Sequence, residues 1–173
     1  MKKTIIRPKN RQKTSYYLKA SQEHFLCPSN CVLTGRCHSG DENGKTWYEY
    51  AELEAVDENG NIVSGKISVG PVTWSSGITE SSGLGFDAPT NQVIVGREHK
   101  GDENGETRYQ TGLLKFNGKI VKVVPYPLAD MCVYASSGKT VYPKDNLVII
   151  GIKHSGDENG ITTYCQGYIV VEK

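Results

Sequence analysis

Long apolar runs are missing from this chain. No window approaches the roughly 18 consecutive apolar residues of a membrane-spanning helix. The start, MKKTIIRP, turns to charge and proline after Thr4, Ile5 and Ile6, so the basic N-terminus lacks the apolar stretch of a secretory signal. The expectation is a protein with no membrane insertion, cytoplasmic as written, with release or delivery to a surface left open. Excess charge is missing too. Twenty Lys and Arg face 19 Asp and Glu, a net charge of +1, which leaves no surplus to neutralise a phosphate backbone and excludes nucleic acid as an expected partner. Phe (three), Met (two) and Trp (two) are scarce, and no apolar stripe at helical spacing is present, which excludes amphipathic helices. The five cysteines, Cys27, Cys31, Cys37, Cys132 and Cys165, are odd in number. A complete intrachain disulfide framework is thereby excluded, and reduced thiols are expected. Bridges between Cys27 and Cys31 or between Cys37 and Cys165 stay open, whereas the spacing of the first three does not suit zinc.

What the chain does have is Gly (19), Tyr (10) and a repeated string. HSGDENGKTWY at 38–48, HKGDENGETRY at 99–109 and HSGDENGITTY at 154–164 share the pattern H-x-G-D-E-N-G-x-T-x-Y. The register extends upstream, where Pro28, Asn30, Gly35 and Arg36 align with Pro89, Asn91, Gly96 and Arg97, and Pro143, Asn146, Gly151 and Ile152 follow with one residue inserted. Three units result, at about 14–69, 70–124 and 125–173, within a single domain spanning 1–173 and preceded by a basic lead-in.

Within each unit the local signals are those of strands. The β-branched runs at 93–95 and 147–150 lie between Pro/Asn and Gly and read as buried strands. Beyond each GDENG, alternation such as Thr107-x-Tyr109-x-Thr111 fits a pleated strand. The motif is therefore the connection of a β-hairpin, with Asn-Gly as the tight turn and Gly40, Gly101 and Gly156 as permissive entrances. A further strand is expected at 62–69 and 119–124, and a fourth near Tyr16, Trp74 and Tyr134. About twelve strands in three units predict an all-β, pseudo-threefold domain, with a β-trefoil favoured over a β-prism.

The repeat plan, together with Asp102-x-Asn104 followed by Tyr109, resembles threefold-repeat lectins, in which each repeat presents a small sugar pocket built from short polar motifs. That resemblance implies a multivalent carbohydrate-binding protein whose partners are glycans or a glycosylated surface, with oligomerisation left open.

The motif's chemistry fits such a role, because carboxylates and amides pair with vicinal hydroxyls and an aromatic ring, Tyr48 or Trp47, can cover a C–H face. The candidate ligand-binding residues are His38, Asp41, Glu42, Asn43 and Tyr48 in the first copy. His99, Asp102, Glu103, Asn104 and Tyr109 follow in the second, and His154, Asp157, Glu158, Asn159 and Tyr164 in the third. The alternative is a non-catalytic structural or protein-interaction module, such as the receptor-binding part of a toxin or adhesin, whose GDENG hairpins are only turns. No cofactor is expected, with calcium the cation that Asp-x-Asn-Gly could take. Convergence of the three His would instead suit a transition metal. An enzyme is not expected, since the polar residues recur threefold and no Ser or Cys nucleophile stands beside a base in every copy.

Overall fold

A computed structural model describes residues 3–134, 137–141, 146–157 and 159–172. The described residues form sixteen strands. These are β1 (Thr4–Lys13), β2 (Leu18–Lys19), β3 (Gln22–Leu26), β4 (Val32–Ser39), β5 (Lys45–Asp57), β6 (Ile67–Trp74), β7 (Ile78–Thr79) and β8 (Phe86–Asp87). They continue with β9 (Gln92–Lys100), β10 (Glu106–Phe116), β11 (Lys119–Ile120), β12 (Lys122–Pro125), β13 (Met131–Tyr134), β14 (Ser137–Val141), β15 (Val148–Ser155) and β16 (Ile161–Val171). A single 3-10 turn at Pro127–Ala129 interrupts them. The fold is all-β, and among the described residues no helix is long and apolar enough to cross a membrane.

All pairings are antiparallel and fall into two sheets. Ten strands follow the order β14-β4-β5-β1-β16-β15-β8, with β12 and β13 also on β16 and β2 on β5. The other six follow β11-β10-β9-β3, with β6 and β7 on β10. The three copies of the motif connect β4 to β5, β9 to β10 and β15 to β16.

The basic lead-in turns out to be strand β1. Its burial alternates from Thr4 to Pro8, and it pairs with β5 and, through Thr4, Ile5 and Ile6, with β16. Its cations are matched to the acidic outer face of β5. Arg7 Nε donates to Glu54 at 2.8 Å, Asn10 to Glu52 at 3.1 Å and Arg11 to Glu49 at 3.3 Å. Pro8 is tolerated because β16 has already ended its pairing at Ile6, so no ladder bond is lost on that side.

Each long hairpin carries a bulge at the same place, between Leu33 and Gly35, between Ile94 and Gly96, and between Ile149 and Gly151. The glycine after the bulge lets the neighbouring strand approach. A Cβ there would stand 2.7 Å from Val141 O at Gly35, 3.0 Å from Phe25 O at Gly96 and 2.9 Å from Phe86 O at Gly151. Ahead of the bulge, adjacent residues feed two different cores. Val32, Val93 and Val148 join a cluster with Ile6, Leu53, Leu114 and Ile169. Leu33, Ile94 and Ile149 join another, with Tyr48, Tyr109 and Tyr164. Each such aliphatic side chain contributes about 1.5–3 kcal/mol by leaving water.

The expected strand at 62–69 begins later, at Ile67, and Ile62 makes only an isolated bridge to Val56. Tyr16 lies outside any strand, whereas Trp74 and Tyr134 end β6 and β13.

Candidate functional site

The tip of each motif hairpin is held by its own polar residues. His38, His99 and His154 place Nδ1 at 2.9, 2.7 and 2.9 Å from the hydroxyls of Thr46, Thr107 and Thr162. Their Nε2 atoms lie 2.9, 3.1 and 2.8 Å from the carbonyls of Gly40, Gly101 and Gly156. A carbonyl only accepts, so Nε2 carries the proton and Nδ1 of the neutral ring takes the threonine hydroxyl. Burial, joined by the Arg36 charge at His38 and the Arg97 charge at His99, pushes both imidazoles down to about 4. Burial lowers His154 as well. The rings are thus neutral clamps across the base of each tip.

Asp and Asn serve the turn. Oδ1 of Asp41, Asp102 and Asp157 accepts the backbone N–H of Asn43, Asn104 and Asn159 at 2.8, 2.9 and 2.8 Å. The following glycine closes the turn onto the Asp carbonyl. Asp57-Glu58-Asn59-Gly60 is a fourth copy of the tetrapeptide without the flanking His, and it makes the same two turn hydrogen bonds, with Asn59 N donating to Asp57 Oδ1 at 2.9 Å, while its glycine alone takes positive φ. DENG is therefore a portable turn. The Asn-Gly pair does not use the positive φ that both of its residues tolerate. Instead φ is positive at Gly40, Gly101 and Gly156 (89°, 93° and 89°), while Asn43, Asn104 and Asn159 and the glycines after them are not in that region. Gly44, Gly105 and Gly160 are glycine for another reason: a Cβ would fall well under 3 Å from the carbonyl oxygens of Ser39, Lys100 and Ser155.

Among the described residues the three tips share a pocket. Asp41, Glu42, Asp102, Glu103 and Asp157 line one concavity of about 470 Å³, counted out to open solvent, and His38, His99 and His154 stand on its walls. Glu158 lies outside the described residues. Asn43 and Asn104 are turned to their neighbours, each amide donating to the adjacent Glu42 or Glu103 at 3.2 Å.

Beneath the rim lies a network that the motif does not contain. Glu23 is 2% exposed, Arg97 1% and Arg36 6%. Glu23 accepts from Arg36 Nη2 at 3.2 Å, from the Tyr48 hydroxyl at 2.9 Å and from Arg97 Nη1. Arg97 Nη2 also donates to Glu80 at 2.6 Å, and the other oxygen of Glu80 is 3.4 Å from His99 Nε2. Burial raises the Glu80 carboxyl, with the Arg36 charge opposing. Two guanidiniums thus balance two carboxylates. The exception is Arg36 Nε, a buried donor without a hydrogen-bond partner in a residue that also lines the concavity. Glu23 and Glu80 were not among the candidates, yet a signal for their presence stood in the sequence. Arg36 and Arg97 interrupt buried apolar strands, and a buried cation requires a partner.

Several expected roles are relocated. Tyr48, Tyr109 and Tyr164 are buried under the concavity, and Phe25 and Phe86 stack on the first two at 4.4 and 4.5 Å between centroids. None of the three rings lines that concavity. Trp47 points outward with Tyr17, at 6.1 Å edge to face. Among the described residues no three His, Cys, Asp or Glu side chains are grouped to hold a metal ion. The five cysteines are free thiols, and Cys37 Sγ donates to Gly138 O at 3.1 Å.

The chain was compared with protein-family models, with curated proteins and with solved structures, and none of them matches it.

Proposed function

We propose that the protein is a non-catalytic, pseudo-threefold β-trefoil binding module that takes a carbohydrate in one shared concavity rather than in three separate sites. The repeated bulge, the repeated His clamp and the repeated motif support the threefold plan. Counting β2 with β3, β7 with β8, β11 with β12 and β13 with β14 as interrupted single strands reduces sixteen strands to twelve. On that phasing the units begin at β1, β6 and β11.

One observation carries the binding reading. All three copies of the motif contribute carboxylates to a single concavity that is also lined by Arg36, whose Nε is a buried donor without a partner. Carboxylate acceptors around a buried N–H donor suit a ligand whose hydroxyls both give and take hydrogen bonds. The acidic rim repels anionic sugars and favours neutral or basic ones. The non-catalytic part is supported by imidazoles that spend both nitrogens on Thr and Gly, leaving none for proton transfer.

The test is the triple variant Asp41→Asn, Asp102→Asn and Asp157→Asn. Asn retains the Oδ1 acceptor of the turn and removes three of the rim charges, leaving those of Glu42 and Glu103. A glycan array should identify a neutral or basic ligand for the parent, and calorimetry should show at least tenfold weaker binding by the folded variant. A parent that binds no glycan, or a variant that binds as the parent does, overturns the reading. The second reading, a protein-interaction module, is favoured by the fourth DENG turn at 57–60, which needs no ligand to explain it. A negative array would leave this one standing.

A further inference from the structure

The buried network is complete in two of the three hairpin sectors and incomplete in the third. Arg36, Arg97 and Ile152 occupy the same place, two residues before the hairpin His. Arg36 Nη1 donates to the Tyr164 hydroxyl at 3.1 Å, and Arg97 Nη1 donates to the Tyr48 hydroxyl at 3.3 Å. Each arginine thus reaches the tyrosine of the preceding hairpin in the cycle. The residue that would reach Tyr109 in this way is Ile152, and it has nothing to donate. Tyr109 instead meets Arg97 Nε of its own hairpin, at a long 3.4 Å.

The truncated sector holds a second, narrow concavity that opens to solvent and is lined by Ile78, Glu80, Phe86, Tyr109, Ile152 and His154. It shares Glu80 and His154 with the larger one. A second change accompanies the first. Glu80 stands where the first unit has Ala20, since Ala20 N donates to Gly44 O at 3.1 Å and Glu80 N to Gly105 O at 3.2 Å. The sector that lacks an internal guanidinium therefore has an additional carboxylate. A carboxylate has about four acceptor positions; Arg97 occupies one on Glu80, and His99 Nε2, already bonded to Gly101 O, only lies 3.4 Å from the other oxygen. The carboxylates of Asp102, Glu103 and Asp157 above add a negative field that Arg36 and Arg97 do not offset, because those two are balanced by Glu23 and Glu80.

We propose that this side pocket takes a guanidinium group presented by a ligand, which completes in the third sector the arrangement that Arg36 and Arg97 make in the other two. A guanidinium is flat and more weakly hydrated than an ammonium, so it enters an aromatic and aliphatic slot at lower desolvation cost and carries its own N–H donors to Tyr109 and Glu80. The natural source is an arginine side chain of a protein partner. The proposal does not rest on the saccharide reading, because Ile78, Phe86, Tyr109 and Ile152 line the side pocket and not the larger concavity.

The experiment is a methyl-detected NMR titration of the full chain with N-acetylarginine methylamide, its neutral isostere N-acetylcitrulline methylamide and N-acetyllysine methylamide. The arginine derivative should shift the Ile78 and Ile152 methyls and bind at least tenfold tighter than the citrulline derivative, with the lysine derivative in between. Equal binding of arginine and citrulline derivatives, or no shift at these two methyls, overturns the proposal with the parent protein alone. Ile152→Arg should fill the pocket from within, raise Tm and abolish the titration. Glu80→Gln, which keeps the side-chain shape, should weaken arginine binding at least tenfold. Unchanged arginine affinity in Glu80→Gln also overturns it.

Discussion

Arg97 donates to Glu23 across 74 positions of sequence, with 1% of either side chain exposed. Glu23 also receives Arg36 and the Tyr48 hydroxyl, so one carboxylate gathers groups from the first and second hairpins. Removing one member of a buried ion pair leaves its partner's charge without compensation, a loss of about 3–5 kcal/mol. Glu23→Gln should lower the urea-derived unfolding free energy by about that much. A loss below about 1 kcal/mol would mean that the two guanidiniums do not depend on Glu23.

The His clamps predict how stability depends on pH. His38 and His99 sit at about 4 in the folded protein, against an ordinary value near 6.5. Between these values the unfolded chain binds protons that the folded one refuses. Their contribution to stability is therefore full above about pH 6.5 and is lost as pH falls toward 4, with a slope of at most about 1.4 kcal/mol per pH unit for each ring. Urea midpoints at pH 7, 6 and 5 should fall in that order. Imidazole proton signals of His38 and His99 that titrate near pH 6.5 would contradict the assignment.

Two glycines of the DENG turns should respond differently to the same substitutions. At Gly105 the difficulty is space, since a side chain meets the Lys100 carbonyl. At Gly60 it is conformation: φ is +82° and nothing lies within 4 Å of a built Cβ. Gly60→Ala should cost about 1 kcal/mol, and Gly60→Asn less, because Asn tolerates the left-handed region. Gly105→Ala and Gly105→Asn should both cost on the order of 1–3 kcal/mol or more, with no recovery from Asn. Thermal unfolding of the four variants checks this, and recovery by Gly105→Asn would show that backbone conformation decides there too.

The hairpins were legible because everything that makes them is local. His99 clamps Thr107, eight residues on, and Asp102 caps Asn104, two residues on. Composition and alternation likewise carried the all-β class. What stayed hidden depends on partners distant in sequence. Glu23 sits in Gln22-Glu23-His24, which reads as a solvated strand face until β9 brings Arg97 alongside Phe25. That three hairpin tips share one concavity follows from how the sheets close, and no spacing within a hairpin encodes it. The tyrosines misled for a related reason. Tyr48 and Tyr109 alternate correctly for a strand, but whether a ring faces a ligand or a stacked phenylalanine is decided by Phe25 and Phe86, on other strands.

Strand β1 is the strongest case of non-local structure, and it yields the last prediction. Read alone, TIIRPKNRQK is a proline-bearing basic segment. Against β5 its Arg11, Asn10 and Arg7 meet Glu49, Glu52 and Glu54, and its Ile6 is fully buried in the core with Val32, Leu53 and Ile169. It also lies between β5 and β16, so its loss would leave two long strands with unpaired edges and open the ten-stranded sheet. A chain beginning at Thr14 should therefore be insoluble or unfolded by circular dichroism. The triple change Arg7→Ala, Asn10→Ala and Arg11→Ala should cost only about 1–2 kcal/mol, because these contacts are at least partly exposed and pairs of that kind are worth less than about 1 kcal/mol each. Ile6→Ala alone should cost about 2–5 kcal/mol, the range for a truncated core residue. If the shortened chain folds with the parent's spectrum and urea midpoint, β1 is an accessory to the sheet, and the repeat must then be phased from the second strand of each unit.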